Sequence, residues 1–333
     1  MRLVCVRLFA TSPVLQTSKP SGFLALQCLS NTSQSQELIM AELRTPLKSI
    51  LNFRDVGHFV NESTGTSHLK PGLLYRSARP DEASLQDRQR LVKEYRMSSI
   101  IDLRTKTEHI EQAQKHGARI RASAAAPQTN DGAAEPLKIP GVVYHEINFN
   151  GSAFSRMLLS KLAWMELFRL LGLMMLGYRK DAIKIMAPHM EEMGLVGLAN
   201  QSLDVCTYEV RQVFNVLAKE ENWPLLVHCT QGKDRTGLVV MLILLLLHVD
   251  LRVIDDDYRL SEPELAPEME ERLQEMGAIG LSEQFAVCPS DLVPSVNSHI
   301  VDKYGGVEQY LEKAGVSKEQ VDFVRRKLLA AES

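Results

Sequence analysis

The chain has 333 residues, 45% hydrophobic and 24% charged, with a formal net charge of −3. That is the balance of a globular protein with enough chain to bury a full core. The stretch from Ile254 to Glu275 is acidic, which argues against a nucleic-acid binder, where a basic stripe is expected. Five cysteines, at 5, 28, 206, 229 and 288, form no CxxC pair. A disulfide framework or structural zinc site is therefore not expected, and a reducing, cytoplasmic setting fits.

Residues 1–40 carry Arg2, Arg7 and Lys19, many Ser and Thr, and no acidic residue before Glu37. This composition fits a mitochondrial presequence, with residues 1–39 as the segment, or a disordered tail ahead of Met40. The folded domain is expected over 41–333. Short apolar or β-branched runs at Leu73–Tyr75, Ser99–Leu103, Val142–Ile147 and Pro224–Cys229 read as strands. Helical patterns lie between them, such as Ser84–Arg96 with Leu85, Val92 and Tyr95 on one side. The fold class is therefore α/β, a mostly parallel central sheet flanked by helices. Ala122–Pro140, rich in Ala, Pro, Gly and Asn, reads as a surface loop.

Residues 150–200 form a helical insert. Seven of the thirteen methionines fall within Phe154–Met193, and Met side chains suit surfaces that repack. A core helix pair, a lid over the site, and a peripheral membrane contact through 157–187 all remain open. Met157–Leu176 is long enough to span a bilayer, but Lys161, Glu166 and Arg169 share one arc of the helix, which makes it amphipathic. Gly237–Leu247 is uninterruptedly apolar and too short to cross a membrane. No transmembrane segment is expected. The chain from Leu265 onward reads as helical, with Ser317 and Gln320 forming a capping box and Val321, Val324, Leu328 and Leu329 a buried stripe.

The chemistry concentrates in His228-Cys229-Thr230-Gln231-Gly232-Lys233-Asp234-Arg235-Thr236-Gly237. An apolar strand ends in a cysteine, a glycine-bearing turn follows, and an apolar helix begins. This arrangement gathers backbone amides and a helix N-terminus around one point, which suits an anion. Cations and a helix N-terminus also favour the thiolate form of a cysteine. Arg235 stands six residues after Cys229 and can curl back to hold two phosphate oxygens. Thr236 can donate its hydroxyl to the sulfur. Gly232 and Gly237 permit close backbone approach. The alternative is a buried cysteine followed by an ordinary charged turn, which leaves the spacing of two cations, a hydroxyl and two glycines unexplained. A nucleotide-binding loop is excluded because Asp234, not Ser or Thr, follows Lys233.

The loop resembles the HCx5R(S/T) signature of protein tyrosine phosphatases. Its GKDRTG ending resembles the atypical bacterial and fungal subgroup, which includes a secreted mycobacterial phosphotyrosine and phosphoinositide phosphatase. Leu51-Asn52-Phe53-Arg54-Asp55-Val56-Gly57, Gly72-Leu73-Leu74-Tyr75-Arg76-Ser77, and Ile101-Asp102-Leu103-Arg104 with Glu108 are similar to further elements of that family, in the same order. His58 departs from it, standing where a second glycine is usual. So does Gln231, which takes the place of a small residue.

The resemblance implies Cys229 as nucleophile and Arg235 as phosphate clamp, with Thr236 assisting. It implies His228, Thr230, Gln231, Gly232, Lys233 and Gly237 as loop residues of the substrate site, His228 orienting the loop. It also makes Asp234 a candidate general acid. Asp102, at a strand end, is the second candidate. Trp223-Pro224 leads into Leu225 and is not the mobile acid-bearing loop of many tyrosine phosphatases. Neither metal nor other cofactor is implied. The expected partner is a phosphorylated protein or a phosphoinositide, with Lys233 favouring the latter. The rival reading is a catalytically silent phosphate-binding module.

Overall fold

All four strands read from the sequence form, each within a residue or two of its expected span. In the computed structural model the described residues are 47–125 and 137–331. The expected targeting segment or tail, and its boundary at residue 40, lie outside them. Strands β1 (Arg54–Asp55), β2 (Leu74–Ser77), β3 (Ser99–Asp102), β4 (Val143–Glu146) and β5 (Leu225–His228) make one sheet in the order β1-β2-β5-β3-β4. β2, β5, β3 and β4 run parallel; β1 is an antiparallel edge that its sequence does not announce. Every residue of β2, β3 and β5 is buried, as expected for parallel strands covered on both faces.

Register decides where the site lies. Ser77 and Asp102 both pair with His228. The chain segments that leave β2, β3 and β5 therefore emerge at one carboxyl edge of the sheet, where α/β folds bind ligands.

The first helices are α1 (Val56–Thr64), α2 (Leu85–Lys93) and α3 (Lys106–Ala125). They are followed by α4 (Ser152–Leu159), α5 (Trp164–Met175), α6 (Arg179–Val205), α7 (Thr207–Leu217) and α8 (Asp234–Leu246). The chain then runs through α9 (Leu251–Arg259), the short α10 (Ser261–Glu264), α11 (Met269–Ile279), α12 (Leu292–Tyr304), α13 (Val307–Lys313) and α14 (Lys318–Leu328). α8 is buried nearly all round from Thr236 to Leu246, so its apolar run belongs to the core. At α14 the capping box forms as read, with Ser317 N donating to Gln320 Oε1 at 2.9 Å and Gln320 N to Ser317 Oγ at 3.3 Å. Among the described residues no helix is long and apolar enough to cross a membrane.

Three expectations change. α2 buries the face of Asp87, Arg88 and Leu91, while Leu85 is 54% exposed. The reason is polar: Arg88 donates to the carbonyls of Ala83 at 2.9 Å and Asp81 at 2.7 Å, which turns that face inward. The start of the expected loop at Ala122–Pro140 is instead helical, α3 continuing through its alanines to Ala125; residues 126–136 lie outside the described residues. Met157–Leu176 is not one helix. Glu166 accepts from Ala163 N at 2.8 Å and restarts the chain as α5. α4 and α5 pack on α6, which packs on α11 and α12. α5 leaves Trp164, Met165, Phe168 and Met175 exposed.

Candidate active site

Cys229 follows the last residue of β5, is 3% exposed, and opens the turn into α8. The turn is held from behind by its carbonyls. Thr230 O accepts from Arg79 N at 3.1 Å, Gln231 O and Gly232 O from Asn52 Nδ2 at 3.0 and 3.1 Å, and Lys233 O from Gly237 N at 2.8 Å. Arg76 Nη2 adds a second bond to Gly232 O at 2.7 Å. None of the backbone amides from Thr230 to Thr236 donates to another described residue. With every carbonyl from 230 to 233 bonded and the amides free, the turn is organised for an anion beside the sulfur.

Gly232 is what allows the turn to close. Its φ is +66°, and a Cβ there would lie 2.0 Å from Ser77 O. Only glycine fits both the left-handed backbone and that approach. Gly237, by contrast, is a packing position: a Cβ would meet the Tyr258 ring at 3.1 Å.

Arg235 turns toward a partner the loop alone does not reveal. Its Nη1 and Nη2 each donate to Glu108 at 2.7 Å, and Thr230 Oγ1 donates to the same carboxylate. Burial would raise the Glu108 carboxyl, but the Arg235 guanidinium outweighs it and holds the pKa down at about 2. Arg235 Nε makes no hydrogen bond among the described residues, which leaves the Nε–Nη2 edge available to a phosphoryl group.

The other expected site residues divide. Asp234 opens α8, lines the same cleft as Cys229 and Arg235, and has a half-exposed side chain. Lys233 turns away. It is 1% exposed, and its Nζ donates to the carbonyls of Phe285, Ala286 and Val287 at 3.4, 3.2 and 2.8 Å. Those carbonyls desolvate the ammonium and satisfy it, so it is a strut beneath the loop, not a second phosphate ligand.

Asp102 is also withdrawn. It is 1% exposed and bonded to Arg104, with Nη2 to Oδ2 at 2.6 Å, and His228 Nε2 lies 3.5 Å away. Despite burial, His228 and Arg104 keep its carboxyl below the usual range. An ionised, buried carboxylate has no proton to give, so the second candidate acid does not suit that role. His228 is fully buried, and burial lowers its pKa. Its Nδ1 donates to Cys229 O at 3.0 Å, so it fixes the loop's first residue. Thr236 Oγ1 is buried and makes no hydrogen bond to a described residue, so the expected bond to sulfur is not formed here.

The cleft holds about 250 Å³ and is lined by Arg79 after β2, Arg104 after β3, α3, the loop, α11 and Glu268 just before it. Among the described residues none between 150 and 200 lines it. The family model described as "Tyrosine phosphatase family" matches residues 45–330. The chain belongs to that family.

Two relatives are similar over part of its length. The triple specificity protein phosphatase PtpB of Mycobacterium tuberculosis is 31% identical over 122 residues, 32% of this chain and 44% of that protein. A tyrosine-protein phosphatase of Nostoc commune is 30% identical over 136 residues, 36% of this chain and 44% of that protein. The matched region thus spans less than half the length of these relatives.

Other family elements prove to be supports for the loop. Arg54 and Arg76 both bond to the buried carboxylate of Asp257, Arg54 Nε at 2.7 Å, and Arg54 also bonds to Asn52. The substituted His58 is harmless: it sits in the first turn of α1, where its amide donates to Asp55 Oδ1 at 3.1 Å. Asp257 and Glu108 were not legible as partners, since each lies far in sequence from the arginine it meets. Burial pushes the Cys206 thiol up to about 12 and the Cys288 thiol to about 11.

Proposed function

We propose that the chain is a cysteine-dependent phosphatase that hydrolyses phosphate monoesters, protein phosphotyrosine foremost, through a cysteinyl-phosphate. The observation that carries this reading is the turn after Cys229, whose carbonyls are tied back and whose amides from Thr230 to Thr236 donate to no described residue, in one cleft with Arg235. The Cys229 thiolate attacks phosphorus and forms the S–P bond as the ester P–O bond breaks. The loop amides and the Nε–Nη2 edge of Arg235 hold the equatorial oxygens, where negative charge must be stabilised. Asp234 gives its proton to the departing oxygen. In the second half, water attacks phosphorus, Asp234 takes back the water's proton, and the S–P bond breaks to release phosphate and the thiolate.

The test is turnover of an aryl phosphate by wild type and Cys229→Ser, with and without vanadate and EDTA. Abolished turnover in the variant, vanadate inhibition and indifference to chelation support the mechanism. A serine variant near wild-type activity contradicts it, and so does a silent wild type that only binds phosphate. The exposed stripe on α5, with Trp164, Met165, Phe168 and Met175, also supports peripheral membrane contact. Co-sedimentation of the full chain with vesicles, lost in Trp164→Ser/Phe168→Ser, tests that separately.

A further inference from the structure

The mouth of the cleft is over-supplied with carboxylates. Four arginines line it, and each already has an acidic partner. Arg79 pairs with Glu268 at 3.1 Å, Arg272 with Glu275 at 3.3 Å, Arg235 with Glu108, and Arg104 with Asp81 and Asp102. Glu111 and Glu271 line the same cleft, are exposed, and carry no ion pair among the described residues. Glu268, Glu271 and Glu275 follow one another at i, i+3 and i+7, a stripe that starts just before α11 and runs along it. Glu111 faces the cleft from α3.

A second, independent feature lies deeper. Gln231 lines the cleft at 8% exposure, and its Oε1 is buried without a hydrogen-bond partner among the described residues. Asp234 Oδ1 likewise accepts no hydrogen bond among the described residues, with Lys233 Nζ 3.6 Å away. Buried acceptors left open are costly unless something donates to them. Apart from the anion ring at Cys229, therefore, the cleft calls for donors and positive charge.

Two classes of phosphate ester reach such a site differently. An inositol lipid with several phosphates would bring further anions against Glu111 and Glu271. A peptide with Lys or Arg near the phosphorylated residue would bring cations to those carboxylates and N–H donors to Gln231. We propose that the cleft selects phosphotyrosine in basic sequence surroundings, Lys or Arg within a few residues of the phosphate, and rejects polyphosphorylated headgroups. This rests on the phosphatase reading above and names its substrate class. The stripe on α11 and Glu111 on α3 act as the specificity-determining rim.

The experiment measures kcat/KM of the full chain on phosphotyrosine peptides that differ only in basic, neutral or acidic flanks. An aryl phosphate and vesicles containing a phosphatidylinositol bisphosphate complete the set. The basic peptide is expected to exceed the acidic one by about tenfold at low salt, the ratio shrinking as salt screens the rim. Glu111→Lys/Glu271→Lys should erase or reverse the preference among the peptides while aryl phosphate turnover persists. Equal values for the three peptides, or a preference for the acidic peptide or the vesicles, would overturn the proposal. Absence of turnover on every substrate would end the phosphatase reading instead. Selectivity is then read from dissociation constants of non-hydrolysable phosphonate peptides, where the same ratio supports the rim's role and equal affinities refute it.

Discussion

Glu108 holds both terminal nitrogens of Arg235 at 2.7 Å, so the guanidinium plane is fixed before any phosphate arrives. Glu108→Ala should therefore lower kcat/KM on an aryl phosphate by about 100-fold through misplacement of Arg235. Glu108→Gln, which keeps one acceptor, should lose less. The pair also has a pH signature. The folded-state pKa of Glu108 is depressed from 4.5 to about 2. Its contribution to stability is thus present above pH 4.5 and lost as pH falls toward 2. Denaturation at several pH values should show wild type and Glu108→Gln converging across that window. A stability difference that is constant from neutral pH down to pH 2 would contradict the pairing.

Gly232→Ala should be among the most damaging small substitutions in the chain. The added methyl meets Ser77 O at 2.0 Å on a backbone with φ of +66°. Left-handed geometry alone costs a non-glycine residue about 1–2 kcal/mol, and the overlap adds to it. A melting temperature and aryl phosphate turnover both close to wild type would show that the loop closes in another way.

Lys233 offers a prediction opposite to the one its position in the loop suggests. Its ammonium serves three carbonyls of the 285–287 segment. Lys233→Met should destabilise the fold by about 3 kcal/mol, leaving buried acceptors unmet. At temperatures well below unfolding it should not weaken phosphoinositide turnover more than aryl phosphate turnover. A selective loss on the polyphosphorylated substrate would restore Lys233 as a ligand.

The two aspartates separate by leaving group. Asp234→Asn should slow phosphotyrosine hydrolysis by about 10²–10⁴-fold and barely affect an activated nitrophenyl ester, because a good leaving group needs no proton. Asp102→Asn should lower thermal stability and depress both substrates alike, since it removes one of the two carboxylates of Arg104 and the one beside His228. Leaving-group discrimination by Asp102→Asn, and none by Asp234→Asn, would reverse the assignment.

How much of this was legible beforehand follows from how local each signal is. The strands, the loop and the capping box at Ser317 are short runs whose residue types dictate their own geometry. Cys229, Arg235 and Gly232 could be read because their spacing is contained within one turn. Glu108, Asn52, Arg76 and Asp257 could not be read as partners. Their roles depend on sheet register, which brings residues more than a hundred positions apart together. Lys233 and Asp102 misled for a related reason: proximity in sequence to the nucleophile does not say which way a side chain turns. α2 was misread because an arginine, bonded to carbonyls, occupies the face that hydrophobicity would assign to solvent.

The central claim is that Cys229 carries the phosphoryl group between substrate and water. Rapid acid quench of the full chain with an aryl phosphate, followed by peptide mass analysis, reads this directly. The account predicts one phosphoryl group on the sulfur of Cys229, accumulating within the first turnover in Asp234→Asn and absent from Cys229→Ser. Turnover of the ester with no phosphoryl group on Cys229 at any quench time, or the group found on another residue, would contradict it.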